Sequence, residues 1–268
     1  METGGATSSA AGPADMDVEQ LVQTLEEEKM LGQTAEEEEQ VRLTNGHEWM
    51  PRSLVEQGDI KEMRGLWEQG VFRKVEGHEI PLGAKFVDSW LLRRIKGEVV
   101  KSRMVLRDIA KSKPLGGELF AATPALSAFR LLLVAASRKM QQAKREQREN
   151  IMVRVLNVTQ AFPHAAIDQP LYTCVPADLD QLTFVLESGE TITLTAGEYV
   201  EVLRALYGYR KSPRLWQQLF TKTIKKIGAA RCSAEPTMFR DAAQGLVILV
   251  HVDDVLVSGP VSAVTALS

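Results

Sequence analysis

Two adjacent carboxylates, Asp253 and Asp254, stand in the middle of the most apolar stretch of the chain, LVILVHVDDVLV. Aspartate is disfavoured inside strands, and burying its charge is costly unless a cation or a hydrogen-bonding partner compensates. Such a pair has two readings. One is a tight hairpin turn at Asp253-Asp254 with no chemistry attached. The other is a hairpin that presents carboxylates to a divalent metal. Hard oxygen ligands suit Mg²⁺, which keeps several waters and is commonly shared with substrate phosphates. A metal site for phosphoryl or nucleotidyl transfer needs a further ligand from another strand, and the centre of RVLNVTQAF is the natural source.

The elements able to position these groups follow from periodicity. In MPRSLVEQGDIKEMRGLWEQGVFRKV, the residues Leu54, Ile60, Met63, Leu66, Trp67 and Val71 fall at helical spacing, and Gly70 supplies a stop. AKFVDSWLLRRI and EVVKSRMVLRDI are β-rich runs about a turn at Lys96-Gly97. SAFRLLLVAASRKM predicts a helix capped by Ser127, with Phe129, Leu132, Leu133 and Ala136 on one face. The polar QQAKREQREN after it reads as an exposed extension or loop. IMVRVLNVTQAF is another β-rich run, and LTFVLESGETITLTAG reads as a hairpin about Ser188-Gly189. YVEVLRALYGY and PRLWQQLFTKTIKKIG read as helical, with Pro213 at a helix start. MFRDAAQGLVILVHVDDVLVSGP predicts a strand pair. The order lacks regular βαβ alternation, which makes the fold class α+β.

Composition bounds what such a fold can do. The 268 residues carry a formal net charge of −3, which averages two unlike regions. Residues 1–46 hold 11 acidic side chains against Lys29 and Arg42, leaving 24 acidic and 30 basic residues in 47–268, a net of +6. An acidic leader, expected to be disordered or a fraying helix, therefore precedes a mildly basic body. Hydrophobic residues at 44% are enough for a real core. Two cysteines, Cys174 and Cys232, rule out a disulfide framework and any four-cysteine zinc site. The N-terminus lacks a basic region followed by an apolar stretch, and no apolar run reaches the ~18 residues of a membrane span. The expectation is a soluble intracellular protein, cytoplasmic or nuclear, without a membrane partner.

Six segments in order give the body a family resemblance. KFV (85–87), KSRMV (101–105), RLLLVAA (130–136), LNVTQAF (156–162), LYGYRKSPRLW (206–216) and HVDD (251–254) stand at near-family spacing. Over about residues 47–260 the chain resembles the reverse transcriptase domain of Ty1/copia-type retrotransposons. That family reads L-D-V-K-T-A-F, L-Y-G-L-K-Q-A-P-R-x-W and Y-V-D-D at the last three places. The resemblance implies an RNA-directed DNA polymerase with fingers and palm and an antiparallel palm sheet with packed helices; the family's thumb is expected to be absent here, with 261–268 a truncated tail. It further implies two Mg²⁺ (or Mn²⁺) ions, a primed RNA or DNA template, and dNTP as substrate.

Carried over residue by residue, Asp253 and Asp254 match the paired catalytic aspartates, and Val158 matches the residue whose carbonyl completes the metal shell. Phe162 matches the aromatic that selects deoxynucleotides. Lys101 and Arg103 match the cations on the triphosphate, a role that suits the multidentate guanidinium. Gly208, Pro213 and Trp216 fall in the segment lining the nucleotide and template site. Arg210, Lys211 and Arg214 lie in nucleic-acid-facing motifs, where the +6 body is what phosphate handling needs. Each has a plainer competitor: Phe162 and Trp216 as core, Lys101 and Arg103 as surface charges on an exposed strand, His251 as a packed strand residue.

Asn157 departs from the pattern, standing where the family has its first catalytic aspartate. An amide offers a metal only a neutral carbonyl. At ~4 Å and an effective dielectric near 20, a unit-charge pair is worth about 4 kcal/mol, and a divalent ion doubles it. If solvation leaves a quarter, the loss is about 2 kcal/mol, more than tenfold in metal affinity. His251 replaces a tyrosine, and QQAKREQREN inserts roughly ten polar residues before the first catalytic strand. The expectation is an impaired or inactive polymerase, with a non-catalytic nucleic-acid-binding remnant of a transposon as the second reading.

Overall fold

A computed structural model describes residues 40–44, 48–108 and 119–267; most of the expected leader lies outside them. Strands β1 (Gln40–Arg42) and β2 (Trp49–Pro51) pair antiparallel. Helix α1 (Arg52–Glu68) follows at once, as its apolar spacing predicts. Then come β3 (Phe72–Lys74), β4 (Lys85–Phe86) and the hairpin of β5 (Ser89–Lys96) and β6 (Val99–Leu106), turning where Lys96-Gly97 was expected to turn. Helix α2 (Leu126–Arg145) leads into β7 (Ile151–Asn157). After β8 (Leu171–Cys174), β9 (Gln181–Val185) and β10 (Thr191–Thr195) form the expected hairpin. The chain continues through β11 (Tyr199–Val202), α3 (Ser212–Lys226), β12 (Ala230–Arg231), β13 (Met238–Asp241), β14 (Leu246–His251), β15 (Asp254–Pro260) and α4 (Val261–Ala266).

Two sheets organise these elements. One runs β3-β11-β8-β4, with a parallel pair at β4/β8; the other is the antiparallel sheet β12-β13-β14-β15-β7. The largest core joins α1, the β5–β6 hairpin and the four-stranded sheet through Met63, Leu66, Leu91, Met104, Leu171 and Val200. A second core lies against the five-stranded sheet, where Ile224 of α3 and Val264 of α4 meet Phe239, Ile248 and Val257. Mixed α and β content without βαβ alternation agrees with the α+β reading.

Helix α1 is pinned to the β5–β6 hairpin in two ways. A Cβ at Gly58 would stand 2.6 Å from the Val100 carbonyl, so only glycine lets helix and strand lie this close. Beside it, Asp59 and Arg93 form a buried ion pair at 2.7 Å, and Ser102 donates a hydrogen bond to the same carboxylate. Arg93 also reaches Asp178 at 2.6 Å. Breaking such a pair from one side would leave a buried charge, which costs about 3–5 kcal/mol.

Several local expectations change. YVEVLRALYGY is not helical: Val200 and Val202 are buried at alternate positions in β11, which hydrogen-bonds both β3 and β8. Sheet pairing on both sides overrides a helix-like spacing of leucines. Ser127 does not cap α2, because the helix starts one residue before it, with Ala125 at the cap position. That helix buries Ala128, Leu132 and Ala136 but leaves Phe129 and Leu133 exposed, and it continues through Arg145, so QQAKREQREN begins as the exposed extension of the two readings and not as loop. The final strand pair is three strands, because Asp241 accepts the amides of Ala243 and Gln244 and turns β13 into β14. The packed body also overruns the expected bounds of 47 and 260. Leu43 is buried against Val55 and Val100, and Val264 of α4 is fully buried.

Candidate active site

Register places the chemistry. In the five-stranded sheet β15 lies between β14 and β7, and Asp254 pairs across the ladder with both His251 and Asn157. The ladder from Asp254↔Asn157 to Pro260↔Ile151 sets this alignment, with β15 buried on both faces between its two neighbours. The β14–β15 turn itself is Val252-Asp253, one residue earlier than a turn at Asp253-Asp254. Val252 has φ 55°, a left-handed conformation that β-branched residues rarely adopt. Such strain costs about 1–3 kcal/mol and persists only where surroundings over-determine it. Here the indole of Trp216 donates to the Val252 carbonyl at 2.7 Å, and the Val158 amide donates to the Asp253 carbonyl at 2.8 Å. Trp216 is thus both core and the brace of the hairpin.

These residues open onto a cleft of about 730 Å³ between the hairpin and the α1/β6 unit. Asp253, Asn157 and Val158 line it together with Lys101 and Arg103 of β6. The structure therefore brings together five of the residues singled out from sequence. Arg103 lies over the ring of Tyr207 at 4.1 Å, which fixes a delocalised cation at the wall. Burial pushes the Tyr207 hydroxyl above its ordinary range; Arg103 opposes the shift, and Asp253 and Glu62 add to it. Burial also raises Glu62, against the Met104 amide it accepts and the nearby Arg103 and Lys101.

Other expected residues stand elsewhere. Asp254 is exposed and accepts a hydrogen bond from the Asn157 amide nitrogen at 3.2 Å, and it does not line the cleft. Phe162 is buried among Ala161, Ala165 and Trp216, and its ring meets Tyr207 edge-on at 4.9 Å. It therefore reaches the cleft only through Tyr207. Gly208 stands off the cleft with φ +82°, packed so that a Cβ would sit 1.9 Å from the Leu106 carbonyl. Lys211 pairs with Asp168 at 3.1 Å, and the backbone amide of Arg210 donates to Asp108. Arg214 lines a separate groove.

Sequence reasoning missed Tyr207, Glu62 and Lys61 in the cleft. Glu62 had a signal, a carboxylate one turn from the buried Gly58 and Leu66 of α1. Among the described residues, no three His, Cys, Asp or Glu side chains gather where they could hold a metal. Asp253, Asp254, the Asn157 amide and the Val158 carbonyl are hard oxygen donors of the kind Mg²⁺ takes, but one charge short of a three-carboxylate set.

Residues 79–266 match the family described as reverse transcriptase (RNA-dependent DNA polymerase). The chain belongs to that family. Among curated relatives of this reverse transcriptase domain is the Ty5-1 transposon protein of Saccharomyces cerevisiae, 33% identical over 108 residues. That match covers 39% of this chain and 31% of the yeast protein. Among solved structures, telomerase from Candida albicans in complex with a fragment of telomeric RNA matches 93% of this chain and 49% of its own. The two share 10% identity and a TM-score of 0.34. Among the described residues of this domain, no helix is long and apolar enough to cross a membrane.

Proposed function

We propose that the chain is the reverse transcriptase domain of a copia-type retrotransposon, built for nucleotidyl transfer onto a primed RNA or DNA template and impaired by Asn157. The observation that carries this reading is the one cleft that Asp253 and Asn157 line together with Lys101 and Arg103. In this reading α1 and the β5–β6 hairpin are the fingers and the five-stranded sheet is the palm.

Lys101 and Arg103 hold the triphosphate of the incoming dNTP, Arg103 oriented by its stack on Tyr207. The Tyr207 ring, backed by Phe162, gives the cleft a flat apolar wall for the sugar. Trp216 and the Val158 amide hold the Asp253 turn in place, so that its carboxylate needs no rearrangement. Asp253, Asp254, Asn157 and the Val158 carbonyl would hold Mg²⁺ or Mn²⁺, which when bound activates the primer 3′-hydroxyl and neutralises phosphate charge. A cleft one carboxylate short binds such ions weakly.

A second reading, non-catalytic nucleic-acid binding, is favoured by the Asn157–Asp254 hydrogen bond, which satisfies Asp254 without any cation. Primer extension with Mg²⁺ or Mn²⁺ separates the two. Traces of incorporation by the natural chain, rising at least tenfold in Asn157→Asp, are expected. Robust incorporation by the natural chain would end the claim of impairment. No incorporation by either form, with salt-dependent binding to an RNA–DNA hybrid, would leave the binding reading in its place.

A further inference from the structure

Helix α3 presents two different faces. Trp216 and Ile224 are buried, Trp216 holding the catalytic hairpin. The other face carries Arg214, Gln218, Lys222 and Lys225 at intervals of three or four residues, one stripe along the helix. With Arg231 of β12 and Phe120 it forms a groove of about 490 Å³, separate from the cleft and sharing no lining residue with it. From Arg214 to Lys225 the stripe runs ~16 Å at the helical rise.

The charge pattern is not that of an ordinary solvated face. Such faces intersperse Glu with Lys so that opposite charges meet one turn apart. The sequence of α3, SPRLWQQLFTKTIKK, holds no acid, and none lines the groove among the described residues. Arg231 adds a cation, its guanidinium donating to Thr221 at 2.7 Å and lying 5.5 Å from the Phe239 ring centre. Lys222 and Lys225 of the helix and Arg231 of β12 set three positive charges along the groove, an arrangement suited to a polyanion with regularly spaced charges. Phe120, 70% exposed, offers a bare aromatic face at the edge of the groove. A basic track with an exposed ring is how sequence-independent binding of single strands is built, the cations following phosphates and the ring stacking a base.

We propose that this groove is a second nucleic-acid site, which binds the phosphate backbone of a single strand behind the catalytic hairpin. The proposal rests on reading the chain as a polymerase domain, because that function supplies the strand. The occupant is a stretch of single-stranded template or product leaving the cleft.

The test uses the full chain, a dye-labelled oligothymidylate of about 16 nucleotides, and fluorescence anisotropy across a salt series. Each phosphate contact on a single strand contributes about 0.7 to the slope of log affinity against log salt. Lys222→Gln/Lys225→Gln should lower that slope by about 1.4, so that the affinity lost between about 50 and 200 mM salt shrinks about sevenfold. Lys222→Arg/Lys225→Arg should keep the natural slope, and Phe120→Ala should weaken binding severalfold at unchanged slope. An unchanged slope in the Gln pair, with a lowered one in Lys101→Gln/Arg103→Gln, overturns the groove and leaves the cleft reading intact. Loss of oligoglutamate binding in the Gln pair at an unchanged oligothymidylate slope makes the groove a peptide site and overturns the proposal. No oligothymidylate binding by any form overturns the groove and the polymerase reading together.

Discussion

Asn157→Asp changes one group where β7 meets β15, and the structure sets the size of the effect. In the natural chain the Asn157 amide nitrogen donates to Asp254 at 3.2 Å. In the variant two carboxylates meet there. Asp254 is exposed, so water-like screening applies and the repulsion is about 1 kcal/mol. The lost hydrogen bond adds about 1 kcal/mol. Without divalent ions the variant should therefore be about 2 kcal/mol less stable near neutral pH. For a domain of this size that lowers the melting temperature by about 4–8 °C. Adding Mg²⁺ or Mn²⁺ should reverse the loss. The third carboxylate strengthens ion binding by about 2 kcal/mol on the discounted Coulomb figure, and an ion that binds only the folded state stabilises it. Thermal unfolding of both proteins in EDTA and in saturating Mn²⁺ reads this without any activity assay. The expected pattern is a metal-dependent rise of at least ~4 °C in the variant and a smaller one in the natural chain. A variant more stable than the natural chain in EDTA, or equal metal responses, would refute the reasoning.

Three further outcomes follow from local geometry. Gly208→Ala forces a Cβ onto the Leu106 carbonyl in a left-handed conformation, so it should cost about 2 kcal/mol or more in urea unfolding; a change below ~0.5 kcal/mol would contradict the packing. Glu62 is raised by burial, so above pH ~4.3 the folded state binds more protons than the unfolded chain and stability falls as pH rises through that window. Glu62→Gln keeps an acceptor for the Met104 amide and should flatten this fall, which pH-resolved unfolding checks; an unaltered pH profile would remove Glu62 from the account. Trp216→Phe keeps most of the volume but leaves the Val252 carbonyl without its donor, at a cost of about 1–3 kcal/mol. Amide hydrogen exchange should then accelerate at the β14–β15 turn first, and a uniform change across the sheet would argue against the brace.

Much of the candidate site was legible because its residues sit in local patterns. The Asp pair within an apolar run, the β-rich run ending at Asn157 and the cations of EVVKSRMVLRDI were each visible in short windows. So were α1, both hairpins and the proline at the start of α3. The misreadings share a cause. YVEVLRALYGY carries a leucine spacing that suits a helix, yet its two neighbours in the sheet lie about 25 and over 120 residues away along the chain. Ser127 was a sound cap in isolation, but the chain had already turned at Ala125. Motif alone also could not show that Phe162 packs behind Tyr207 and Gly208 against the Leu106 backbone, since those neighbours are distant along the chain.

The sequence by itself determined the reverse transcriptase family, the α+β class, the paired carboxylates and the amide at Asn157. These are properties of residue identity and short-range order, which no tertiary contact alters. Only the tertiary structure decided that Asp253 lines one cleft with Lys101 and Arg103 while Asp254 turns to Asn157. Strand register and the left-handed turn at Val252 set that difference, and both depend on partners far away in sequence: β7, and the indole of Trp216.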